Sequence, residues 1–178
     1  YIVALRPKVA FIVDIRHQNA VHHLLYKALI ELSDNRADFL SRLFSRPRPP
    51  GLGVDTPVDS LFGAFASVSH DSGMFYRTLA AVKDRLIKEH GFALNAEELS
   101  LLEHNFDAFY SAGPQLTYNF NTNRGFGGGM PNYASLMMAT DKAGVRRSYL
   151  ASDTSYQVLR DIELRNMLVP LTGDFAGP

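Results

Sequence analysis

The sequence predicts an α/β fold: a Rossmann-like, mostly parallel sheet, not necessarily complete, carrying a large helical insertion. Three observations carry this. The order of elements is strand, long helical stretch, strand, helices, strand, which favours layered α/β packing with parallel pairing. Residues 9–15, Val-Ala-Phe-Ile-Val-Asp-Ile, form an apolar run of strand length, rich in β-branched residues, of the kind that suits a strand covered on both faces. The carboxyl ends of the three predicted strands, 14–19, 119–124 and 173–177, are all polar or glycine-rich. Ligands of open α/β sheets gather at such ends.

The elements follow in chain order. Pro7 blocks a helix from running into the first strand. After it, Val21, Leu24, Leu25, Ala28, Leu29 and Leu32 recur at helical spacing. Ser33 or Asp34 is the expected cap of a next helix, with Phe39, Leu40, Leu43 and Phe44 as its apolar stripe. The segment RPRPPGLG ends that helix. Helices are expected over 58–68 and 74–88, with Gly91 as a stop. Asn95 with Glu98 three residues on has the form of a capping box. Residues 115–120 read as a second strand by alternation and Tyr/Phe content, and NTNRGFGGGMPN as a loop. Helices follow near Pro131 and from Ser152. Residues 167–172 form the last strand, and Pro170 argues for an edge position.

The chain has 18 basic and 18 acidic residues, so no overall field draws it to nucleic acid. No apolar run approaches the roughly 18–20 residues of a membrane span. With no cysteine, disulfides, thiolate metal sites and a Cys nucleophile are excluded. Charge is unevenly spread: net +4 over 1–50, −5 over 51–112 and +1 over 113–178. We therefore read 1–178 as a single α/β domain with 51–112 as a helical insertion or lobe. The chain opens on Tyr1, without an initiating Met or signal-peptide pattern, and a preceding segment is expected. A cytoplasmic location is the corresponding expectation.

Several side chains are candidates for chemistry. Asp14, at the end of a buried strand, is placed to accept hydrogen bonds from the two hydroxyls of a ribose. The plainer alternative is that it caps the next helix or pairs with Arg16. Gly125, Gly127, Gly128 and Gly129 allow main-chain N–H groups close to an anion, and Arg124 pairs with phosphate or carboxylate. The alternative there is an ordinary surface loop. Asp14, His17 and His22 form a weaker alternative metal set, opposed by the roughly 100° between helical neighbours His22 and His23. His70, His90 and His104 read as isolated surface residues. Arg42, Arg46 and Arg48 form the one local basic cluster, either a phosphate site or a solvated helix end.

The stretches YIVALRPKVAFIVDIRHQN, LLYKALIELSDNRADFLSRLFSRPRP, GFGGGMPNYASLMMATDKAGVRRSYLASD and NMLVPLTGDFAGP resemble a group of uncharacterised bacterial proteins. Those proteins look like distant class I S-adenosylmethionine-dependent methyltransferases. The resemblance spans nearly the whole chain. It implies that residues 1–6 end a first helix and that residues 9–15 are a second strand. It also implies that Asp14 stands where an acidic residue holds the cofactor ribose. The group's glycine-containing strand and loop would precede Tyr1.

The function expected is methyl transfer with S-adenosylmethionine or a related nucleoside at the strand ends. Its cofactor-binding candidates are Asp14, Arg16, Asn19, Asn121, Arg124 and Gly127; its catalytic candidates are Asp14, His17 and Asp174. Methyl transfer depends mainly on positioning, which fits the lack of an acid–base motif. One rival is a hydrolase of an ester or lactone using a divalent metal at Asp14 and the nearby histidines. A third reading is a non-enzymatic binding module whose open sheet edge is covered by a second copy in a homodimer.

Overall fold

The computed structural model describes residues 1–117 and 131–174. A short helix α1 (Ile2–Leu5) ends at Arg6 in the left-handed conformation, with φ 46°. Strand β1 (Ala10–Asp14) follows, then α2 (His17–Glu31) and α3 (Arg36–Phe44). Next come α4 (Val58–Ala66), α5 (Ser72–Asp84) running into a π-type turn (Arg85–Glu89), and α6 (Ala96–Ala112). A 3-10 turn (Gly113–Gln115), α7 (Tyr133–Met138), α8 (Asp153–Leu164) and β2 (Leu168–Thr172) complete the described chain.

The sheet is parallel and, among the described residues, has two strands. Ala10 lies opposite Leu168, and Asp14 lies opposite Thr172. The α/β class and the parallel pairing expected of residues 9–15 and 167–172 are therefore present. Pro170 sits opposite Ile12. Helix α2 packs against both strands. The other face carries Phe11, which is 61% exposed, with Val9, Ile15 and Leu171 also exposed. The expectation that β1 is covered on both faces is thus corrected: Ile12 faces the helices, whereas Val9, Phe11 and Ile15 lie on the face left exposed.

Capping chemistry sets most helix starts. Asn35, rather than Ser33 or Asp34, caps α3 by accepting the Asp38 N–H at 3.0 Å. Asp71, Asn132 and Ser152 cap α5, α7 and α8 in the same way. At α6 the expected capping box is complete: Asn95 accepts from the Glu98 N–H, and Glu98 accepts from the Asn95 N–H. The expected strand at 115–120 is corrected in part. Gly113-Pro114-Gln115 form a 3-10 turn, and Thr117 makes a single antiparallel bridge to Asn132. Residues 118–120 lie outside the described residues.

One apolar cluster joins α2 and α3 to the helices of 51–112 and to α8. Phe39, Phe44, Phe65, Phe106 and Phe109 are all fully buried in it. Each contributes roughly 1.5–3 kcal/mol by leaving water. The acidic middle segment thus shares its core with the rest of the chain. No helix among the described residues is long and apolar enough to cross a membrane.

Two buried cations, Arg36 and Lys27, and the half-buried Arg46 act as struts. Arg36 donates to the carbonyls of Leu150, Val54 and Thr56 at 2.6–3.0 Å. Arg46 donates to the Phe65 carbonyl at 2.6 Å, Arg48 donates to the Leu52 carbonyl, and Arg42 faces Asp38. The Arg42, Arg46 and Arg48 cluster is therefore largely spent on the protein's own oxygens. Lys27 donates to Glu31 at 2.6 Å and to the Glu163 carbonyl at 2.7 Å. His90 also meets Glu31, at 2.7 Å, so it is an internal partner and not an isolated surface residue.

Candidate ligand cleft at the strand ends

The parallel register brings the tips of β1 and β2 together. The Gly173 N–H donates to the Asp14 carbonyl at 3.0 Å, so exposed Asp174 follows directly beside the β1 tip. Two of the three predicted strand ends therefore adjoin, although they are far apart in sequence.

The Asp14 carboxylate is engaged by Arg16. It accepts the Arg16 main-chain N–H at 2.8 Å, Nε at 3.2 Å and Nη2 at 3.0 Å. These hydrogen bonds hold its carboxyl below the usual carboxylate range. Its side chain keeps 22% of its surface exposed, so a solute can reach it. The pairing of Asp14 with Arg16 is thus observed, and the carboxylate still faces water.

His17 begins α2 and ties three elements together. Its Nδ1 lies 3.2 Å from Thr172 Oγ1 at the end of β2. Its Nε2 lies 2.7 Å from Glu98 Oε1 in the first turn of α6. The Asn95 N–H and then His17 pull the Glu98 carboxyl below its ordinary range. Glu98 and Thr172 are neighbours of His17 that sequence reasoning missed. The capping box was legible, but the second use of Glu98 depends on how α6 meets the sheet.

A cavity of about 430 Å³ opens beside this junction. Arg16, Gln18 and Asn19 line it from the start of α2, and His104 and Asn105 from α6. Thr117 completes its polar groups, and His22, Ala108, Phe109 and Leu116 supply the rest of the lining, most of it apolar or aromatic. Arg16 and Asn19 were expected here; Gln18, His104, Asn105 and Thr117 were not. Thr117 pairs with Asn132, so the chain leaves for residues 118–130 and returns from them at this wall. Asn121, Arg124 and Gly127 lie outside the described residues.

His22 does not join Asp14 and His17. Its ring packs 4.9 Å from Tyr26 and 6.0 Å from Phe109, centre to centre. Burial pushes its pKa down to about 4, which leaves it neutral near pH 7. His23 is lowered for the same reason. Among the described residues, no group of three or more His, Asp or Glu side chains is placed to hold a metal ion.

The geometry defines an α/β protein with a cleft of mixed polar and apolar lining at the start of α2, next to the adjoining tips of two parallel strands. No family model matches the chain, and neither a curated protein nor a solved structure does.

Proposed function

We propose that the chain is a methyltransferase-like α/β domain that binds S-adenosylmethionine or a related nucleoside at the tips of β1 and β2. The observation that supports this is that Asp14 and Asp174 sit at adjoining strand tips and that Arg16, bound to Asp14, lines a cavity at the start of α2. In parallel sheets this is the usual position of a nucleoside ligand. Asp14 supplies two acceptor oxygens of the kind that ribose hydroxyls need. A ribose there replaces the Arg16 guanidinium, which then turns toward the carboxylate or other anionic end of the ligand. Asn19 and Gln18 offer amides for hydrogen bonds to the ligand's polar atoms. On this reading Asn121, Arg124 and Gly127 are further cofactor-binding candidates, and further strands extend a Rossmann-like sheet beyond β1 and β2.

The cofactor would supply an electrophilic methyl group. The chain's own work is to orient the acceptor and keep water out. His17, held by Glu98, is the side chain best placed to take a proton from a hydroxyl or amine acceptor. Titration calorimetry with S-adenosylhomocysteine tests the reading. Saturable binding near one site per chain is expected, weakened at least tenfold by Asp14→Asn. An absence of heat at high protein concentration would remove it.

A second reading, that of an assembly module, is favoured by the uncovered face of the sheet. Phe11, Ile15 and Leu171 are exposed there together, and isolated apolar residues rarely cluster so on a free surface. Light scattering decides this: a stable homodimer that Phe11→Lys dissociates supports it, and a monomer at all concentrations opposes it.

A further inference from the structure

Three arginines share one cavity where α1 packs against α8. Arg6 comes from the end of α1, and Arg146 and Arg147 come from the loop before α8. With Thr154 and Ser155 of the first turn of α8 they line a space of about 270 Å³. No acidic residue lines it among the described residues. Residue 6 is far from 146 and 147 in the chain, so the cluster exists only in the fold.

Two of the three guanidiniums are braced. Asp141 accepts Arg147 Nε at 2.9 Å, and it also accepts the Ala143 and Val145 N–H groups. An antiparallel bridge between Thr140 and Arg146 closes the same loop. Arg146 Nη2 reaches Asp59 at 3.3 Å. Each guanidinium carries five N–H donors, so both keep donors for a ligand. Arg6 is exposed, and its side chain makes no hydrogen bond or ion pair among the described residues. Asp153, in the first turn of α8, faces Arg36 instead, at 4.0 Å. Three guanidiniums against two carboxylates leave the cavity net positive. The helix end adds little, because Ser152 already takes the Ser155 N–H.

Guanidinium forks match the oxygens of a phosphate group, and the hydroxyls of Thr154 and Ser155 are further donors. A second cavity, of about 350 Å³, shares Arg6 and Thr154 with the first and runs along α8 past Gln157, Val158 and Ile162. We propose that this junction is an anion site that takes a phosphate monoester, with the phosphate at Arg6, Arg146 and Arg147 and a small organic group along α8. It shares no lining residue with the strand-end cleft and does not depend on the methyltransferase reading.

Calorimetric titrations with phenyl phosphate, phenyl sulfate and inorganic phosphate test the site at low ionic strength, where charge pairs are least screened. Saturable binding of phenyl phosphate near one site per chain is expected. Phenyl sulfate has one charge fewer and inorganic phosphate lacks the ring, so each should bind more weakly. Arg6→Gln and Arg147→Gln should each weaken phenyl phosphate about tenfold, the effect of losing a charge-assisted hydrogen bond. Arg6→Gln removes no contact within the described chain, so its unfolding midpoint should match that of the unaltered protein. Lys88→Gln removes a positive charge outside both cavities and should leave binding unchanged. Phosphatidylcholine vesicles containing phosphatidic acid present the same monoester on a lipid. Co-sedimentation with them, without binding of phenyl phosphate, would overturn the assignment to a small molecule. Absence of saturable phenyl phosphate binding, unchanged affinity in Arg6→Gln, or an equal loss in Lys88→Gln would overturn the site itself.

Discussion

His17 Nε2 lies 2.7 Å from Glu98 Oε1, which joins the first residue of α2 to the first turn of α6. Glu98 is also half of the capping box with Asn95. The carboxylate therefore serves two roles, and they differ in worth. The His17 ring is 56% exposed, so its ion pair is weakened by water. The capping bonds satisfy main-chain N–H groups that otherwise have no partner within the helix. Glu98→Ala and Asn95→Ala are each expected to cost about 1 kcal/mol in urea unfolding. The double variant should cost less than the sum, since both act on one box. His17→Ala should change stability much less.

Two buried groups give opposing pH dependences. Burial raises the Glu163 carboxyl from 4.5 to about 7, so between those values the folded chain holds more protons than the unfolded one. Stability therefore falls as pH rises through that window. Burial lowers His22 from 6.5 to about 4, so there the unfolded chain holds more protons and stability rises with pH. Each contribution is on the order of 3 kcal/mol over its window. The two largely cancel between pH 4.5 and 6.5, where the windows overlap. Glu163→Gln should expose the His22 dependence, with unfolding midpoints dropping steeply on acidification. His22→Phe should do the reverse, and its stability should decline toward pH 7. Chemical denaturation across pH checks both.

Gly113 adopts φ 56°, and an added Cβ would lie 2.5 Å from Arg46 Nη2. That guanidinium holds the Phe65 carbonyl. Gly113→Ala should therefore cost about 2 kcal/mol or more, through strain and a displaced strut. Gly144 also has positive φ, 76°, but has open space around it. Gly144→Ala should cost only about 1 kcal/mol. A comparison of the two midpoints isolates the Arg46 contact.

Arg36 serves three carbonyls from two stretches of chain, 54–56 and Leu150. Arg36→Lys should not rescue the fold, because an ammonium is a point donor and lacks the planar fork. Both Arg36→Lys and Arg36→Met are expected to lose about 3 kcal/mol or more. Wild-type stability in the Lys variant would show that charge, not geometry, is what matters.

What could be read in the sequence was local. The apolar run over 9–15, the Asn95–Glu98 box and the helix start near Ser152 each depend on neighbours within a few residues, and all three appear in the fold, the run as strand Ala10–Asp14. Long-range facts were not legible. Residues 115–120 alternate like a strand, yet Gly113-Pro114 closes a tight turn there first. Nothing in the sequence near His17 announces Glu98 or Thr172, because helix docking decides those contacts. His104 and Asn105 read as ordinary polar positions on α6 until that helix brings them to the cavity beside Arg16. Glu163 looks like a solvated helix residue and is instead buried beside Lys27.

The central claim is that the tips of β1 and β2 form a nucleoside site. A crystal structure of the chain grown with S-adenosylhomocysteine tests it most directly. The account expects ribose density within hydrogen-bond reach of the Asp14 carboxylate, with the Arg16 side chain displaced and the ligand reaching Asn19. Density elsewhere on the molecule, with the Asp14–Arg16 pair intact, would contradict it.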